Sequence, residues 1–109
     1  MDNEKEIVKK AQKDPQAFGQ IYDAYYQKIF RYVYYRVGSK DIAEDLTAET
    51  FFQALKNIWR YRFTRHPFSS WLYRIALTQT AQYYRQKKKY CSLAIEECPE
   101  LMNFPHYGA

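Results

Sequence analysis

Between Asp14 and Gly38 the apolar residues Phe18, Ile21, Tyr22, Tyr25, Ile29, Tyr32 and Val33 recur at intervals of three and four. That spacing lays them along one side of a helix and is incompatible with a strand. The stretch is punctuated at both ends. Asp14 can accept a free backbone N–H, Pro15 fills a first helical position where an N–H is not needed, and Gly38 follows the last periodic residue, where a left-handed stop is favoured. A helix of this length with one apolar side must bury that side against other elements. The sequence offers helices for the purpose. Residues 3–12 form a short one, with Ile7, Val8 and Ala11 together. A third begins near Ser39–Asp41, where Asp41 and Glu44 suit an acidic capping box, and runs to about Trp59. Pro67 opens a last helix that reaches Lys87–Lys89. Only three Gly and four Pro stand among 109 residues, so long helices with few turns are expected. The expected fold is all-α: a compact bundle of three long helices plus a short N-terminal one, forming one domain over residues 1–90. Residues 91–109, with two Pro and weak periodicity, read as a linker or C-terminal tail.

Charge is distributed unevenly over these helices. From Arg60 to Tyr90 there are eight Lys or Arg, no Asp or Glu, and eight aromatic residues. Cations interleaved with flat rings suit a surface that holds phosphates and stacks unpaired bases, although a solvated basic face over an aromatic core would carry the same pattern. Lys40 to Trp59 leans the other way, with Asp41, Glu44, Asp45 and Glu49 against Lys40 and Lys56. At 100° per residue, Ala43, Thr47, Thr50, Phe51, Ala54 and Ile58 fall on the buried side of this third helix. Ile42, Asp45, Glu49, Phe52 and Lys56 fall opposite. A Phe ringed by carboxylates fits a protein docking face, unless it packs on the N-terminal helix instead. On the last helix Phe68, Leu72, Ile75, Ala76, Gln79 and Tyr83 are the expected core side, and Arg74, Leu77, Thr78, Ala81, Arg85 and Lys88 the outward one. Trp71 borders both, placed either to close the core or to offer a platform beside the basic connector Arg60–His66.

Other classes find little support. His66 and His106 are the only histidines, with no triad, Gly-rich phosphate loop or metal-ligand cluster around them, so no enzyme activity, cofactor or metal is expected. Cys91 and Cys98, with six residues between them, match neither zinc nor redox spacing. No run approaches the roughly 20 apolar residues of a membrane span. The charged start MDNEKEIVKK lacks an apolar signal core, which points to the cytoplasm.

Ala43-Glu-Asp-Leu-Thr-Ala-Glu-Thr-Phe51, followed by Phe68-Ser-Ser-Trp-Leu-Tyr-Arg-Ile-Ala76 and Tyr83-Tyr-Arg85, resembles the extracytoplasmic-function (ECF) group of bacterial RNA polymerase sigma factors. Asp14-Pro-Gln-Ala-Phe18 with Tyr22 looks like the start of their region 2, and the resemblance covers about residues 14–89. It implies that the third helix docks on the β′ clamp helices of core RNA polymerase through Asp45, Glu49 and Phe52, beside Ile42 and Ala48. It also implies that connector and last helix recognise the minus-ten promoter element and hold its non-template strand as the duplex opens. Arg62, Phe63, Thr64, Arg65 and His66 would line a pocket for a flipped base, next to Arg60 and Trp71. Arg74, Thr78, Gln82 and Arg85, with Lys88 beyond, would follow the strand. The chain departs from the family pattern at Ala48, where Gln is usual, at Thr78, where Asn is, and at Gln82, where Asp or Asn is. The helix-turn-helix domain called region 4 has no counterpart in residues 91–109, so a fragment of a longer sigma factor is the expectation. Rival readings are a degenerate sigma-like domain that binds an anti-sigma factor or polymerase without directing initiation, and a nonspecific nucleic-acid-binding helical module.

Overall fold

A computed structural model describes residues 4–97, with side-chain surroundings given to Lys89. The expected all-α bundle is present: α1 (Glu4–Lys13), α2 (Phe18–Val37), α3 (Lys40–Asn57) and α4 (Phe68–Glu97), with single 3-10 turns at Pro15–Ala17 and Ile58–Arg60. Asp14 caps the first of these turns, its Oδ1 accepting from the Gln16 N–H at 3.0 Å, and Pro15 stands at the first position. Gly38 ends α2 at φ 72°, and its N–H donates to the Tyr34 carbonyl. A side chain there would be strained, which is why glycine holds the position.

Three boundaries differ from expectation. The N-cap of α3 is Ser39, whose Oγ accepts from the Ile42 N–H at 3.4 Å; Asp41 lies in the first turn instead of capping it, and Glu44 pairs loosely with Lys40 at 4.0 Å. Ser39 wins because the capping residue needs extended backbone, and Ser39 has it at φ −126°, ψ 128°. The α-helical part of α3 stops at Asn57, and the turn at 58–60 tightens to 3-10 before the connector. At the other end, α4 continues to Glu97 and does not stop at Lys89. Leu, Ala and Glu between Cys91 and Glu97 favour helix.

The core is shared by all four helices. Phe18, Ile21, Tyr25, Ile29 and Val33 of α2 meet Ala43, Phe51 and Ala54 of α3, and Phe68, Leu72 and Ala76 of α4. Val8 and Ala11 bring α1 against this cluster. The expected buried side of α3 is buried throughout, including Thr47 and Thr50. On α4, Ile75, Gln79 and Tyr83 are only half-buried, and Thr80 takes the core position, donating its hydroxyl to the Ala76 carbonyl at 2.8 Å. Thr50 satisfies itself likewise on the Leu46 carbonyl at 2.7 Å. Thr47 does not: its Oγ1 is buried without a hydrogen-bond partner. A buried hydroxyl without a partner costs on the order of 1 kcal/mol or more, and valine has nearly the same shape. Thr47→Val is therefore expected to raise the melting temperature by about 4–8 °C in a thermal circular-dichroism scan.

Candidate nucleic-acid interface

The connector between α3 and α4 has almost no regular structure from Tyr61 to Pro67. Its form comes from local bonds and from neighbours. The Tyr61 N–H donates to the Ile58 carbonyl at 3.0 Å, and the His66 N–H to Thr64 Oγ1 at 3.1 Å. Tyr61 sits edge-on to Phe68 at 5.1 Å between centroids and tilted against Trp71 at 5.2 Å. Trp71 also rests on Phe68 at 5.4 Å. These rings anchor the connector on the first turn of α4.

A groove of about 360 Å³ opens between connector and helix, with Arg60, Arg62, Thr64, His66, Trp71 and Arg74 among its walls. A second recess of about 330 Å³ shares Arg60, Tyr61 and Trp71 with the first and is completed by Asn57 and Ile75. Trp71 is half-buried, so it both closes the core and presents ring surface to the grooves. Two connector residues expected in the pocket are elsewhere. Phe63 turns to α1, where Lys5 Nζ and Lys9 Nζ stand 5.5 and 6.0 Å from its ring centroid. Arg65 is exposed but does not line the groove. The physical reason is pairing: the Phe63 ring finds two cations and the Tyr61 edge, at 5.3 Å, on its own side of the connector.

Beyond the groove, Arg74, Thr78, Gln82, Arg85 and Lys88 are all exposed on one stripe of α4. At 1.5 Å per residue the stripe is about 21 Å long. Thr78 donates its hydroxyl to the Arg74 carbonyl at 3.0 Å, so it offers a neighbour only an acceptor and a methyl group. That chemistry suits a base amino group or a thymine methyl better than a phosphate. No carboxylate competes along this segment. Burial pushes the Tyr61 hydroxyl above its ordinary pKa, with the Glu4 carboxylate adding to the shift, so it stays an uncharged phenol beside the cations. Tyr25 is raised further, first by burial and then by the hydrogen bond it donates to Glu4.

A second exposed face belongs to α3. Asp45, Ala48 and Glu49 are exposed, Ile42 is half-buried, and Phe52 is 57% exposed, so it does not pack on the N-terminal helix. Glu49 accepts from Gln53 Nε2 at 2.9 Å, which orients its carboxylate. The same stripe goes on through Leu55 and Trp59, 38% and 68% exposed. Both were missed from sequence, although Ala48, Phe52, Leu55 and Trp59 are spaced four, three and four apart, a signal for one outward face.

Among the described residues no helix is long and apolar enough to cross a membrane, and no cluster of three potential metal ligands is found. Residues 21–90 match the family model for Sigma-70 region 2. The ECF RNA polymerase sigma factor BldN of Streptomyces coelicolor is 42% identical over 84 residues, which cover 76% of this chain and 32% of that protein. The ECF RNA polymerase sigma factor SigW of Bacillus subtilis is 40% identical over 85 residues, 77% of this chain and 45% of that protein. The chain thus spans less than half the length of these curated relatives. A chain of the solved RsbN–BldN complex matches with a TM-score of 0.65 and 40% identity, covering 77% of this chain and 62% of the other. A helical bundle with an acidic-apolar face and a basic groove, matched over residues 21–90 by that family model, is a member of the Sigma-70 region 2 family, in its extracytoplasmic-function group.

Proposed function

We propose that this domain brings core RNA polymerase to promoters and helps to melt the minus-ten element, as a specificity subunit and not an enzyme, in the cytoplasm. The acidic-apolar face of α3 docks on the β′ clamp helices. Connector and α4 hold the non-template strand, with one base drawn into the groove beside Trp71 and the backbone following Arg74 to Lys88. The observation that carries this reading is the groove itself, a recess with aromatic and cationic walls next to a basic stripe. Extruding a base costs a few kcal/mol, and stacking returns roughly 1–3 per base. Strand capture therefore needs several bases and a docked polymerase, and the isolated domain should bind promoter DNA weakly. A relative occurs in the RsbN–BldN complex, which supports a partner protein of the anti-sigma kind for this chain as well.

The test mixes the chain with core polymerase and offers a pool of single-stranded oligonucleotides randomised over about six positions. Co-elution with polymerase and enrichment of one sequence are expected. Retention that tracks charge and salt alone would leave a nonspecific nucleic-acid module.

A further inference from the structure

The connector supplies most of the groove's walls, yet few of its own backbone groups are bonded within it. Besides the Tyr61 ring on α4, what holds it comes from α1, an element that precedes the residues matched by the family model. Gln12 Nε2 donates to two carbonyls, Ile58 at 3.0 Å and Tyr61 at 2.7 Å, which bracket the 3-10 turn that delivers Arg60 to the groove. One helical turn back, Lys9 and then Lys5 hold Phe63 on the far side of the connector. The contacts thus fix the connector at both ends of its first half: two carbonyls at its root and one ring beyond Arg62.

We propose that Gln12 is a positioning residue for strand recognition, with Lys5 and Lys9 as its auxiliaries: α1 sets the shape of the groove without touching the DNA. The inference rests on the nucleic-acid reading above. An amide is well suited to the task, because both N–H groups of one nitrogen can be given to carbonyls at once: that of Ile58, which also accepts the Tyr61 N–H, and that of Tyr61. Without those bonds the turn at 58–60 keeps the burial of Ile58 and the Tyr61 ring contacts but loses the tie to α1 that fixes its orientation. Arg60 then loses its register with Trp71, and the groove keeps its charge but not its shape. General affinity for single strands should survive such a change, whereas discrimination between sequences should not.

The experiment uses the whole 109-residue chain with core polymerase, and the oligonucleotide enriched from the random pool beside a version changed at each position. Gln12→Leu keeps the volume and removes both donors. It is expected to reduce discrimination between the two oligonucleotides about tenfold, as the loss of two hydrogen bonds would, with binding to the isolated β′ clamp helices unchanged. Gln12→Arg, which brings donors back to both carbonyls, should restore discrimination; a merely structural role would not separate the readouts in this way. Full discrimination by a folded Gln12→Leu chain overturns the proposal. If that variant does not fold, the surface double variant Lys5→Gln, Lys9→Gln decides: reduced discrimination supports the proposal, and an unchanged ratio overturns it. Should the wild type enrich no sequence at all, it is the nucleic-acid reading that fails, and the positioning role falls with it.

Discussion

Reversing two charges on α3, Asp45→Lys with Glu49→Lys, is expected to weaken binding to the isolated β′ clamp helices at least about a hundredfold. The two carboxylates are exposed and one helical turn apart, with the half-free ring of Phe52 beside them and the Gln53 amide holding Glu49 in place. Close charge pairs at protein interfaces couple by about 1.5–7 kcal/mol, and a reversal replaces attraction with repulsion, so a double reversal removes more than two neutral truncations would. Neither side chain contributes to the core, so the fold should tolerate the change. Titration calorimetry on wild type and variant, with circular dichroism confirming equal helix content, makes the comparison. Binding unchanged in the folded variant would dismiss this face as the docking surface. The same titration with Phe52→Ala reports the apolar share. The exposure of Leu55 and Trp59 further along the stripe predicts that the apolar contact extends beyond Phe52.

Those two residues also show what a single sequence conceals. The phase of α3 was readable because Ala43, Thr47, Thr50, Phe51 and Ala54 keep one helical angle, and periodicity outweighed the polarity of the threonines. Leu55 and Trp59 keep the outward spacing of Ala48 and Phe52, but apolar residues at a helix end are read as core by default, and it is their exposure that shows the stripe continuing. Thr80 was assigned to neither side of α4 from sequence, and it is buried because its hydroxyl can bond its own helix four residues back. On α2 the expected stripe was right at Phe18, Ile21, Tyr25, Ile29 and Val33, but Tyr22 stays 41% exposed, tilted against Tyr26 and edge-on to Phe51. Tyrosine tolerates such half-wet sites because its ring and its hydroxyl want different surroundings. In the candidate site, the outward stripe of α4 is local geometry and was legible. The turn of the exposed Phe63 toward Lys5 and Lys9, and the reach of Gln12 across 46 and 49 residues, depend on where the chain returns in space. No local pattern encodes them.

Trp71 is the residue for which recognition and stability are hardest to separate, and two substitutions separate them. Its ring touches Tyr61 and Phe68 and also lines both recesses. Trp71→Ala removes the platform and the contacts together. Complete burial would make truncation cost about 3–5 kcal/mol, and at a half-buried site the lower part of that range is expected, so the variant should melt well below wild type yet remain folded in the cold. Loss of one stacked base, about 1–3 kcal/mol, should weaken capture of the enriched oligonucleotide by about five- to a hundredfold. Trp71→Phe keeps a ring against Tyr61 and Phe68 but halves the surface offered to a base. It should melt within a few degrees of wild type and still lose several-fold in capture, while both variants bind the β′ clamp helices unchanged. Fluorescence anisotropy at a temperature where all three proteins are folded reads the difference. Capture that follows the melting temperature alone, or that stays intact in folded Trp71→Ala, would assign Trp71 to the core and leave Arg60, Arg62 and Arg74 to hold the strand by charge.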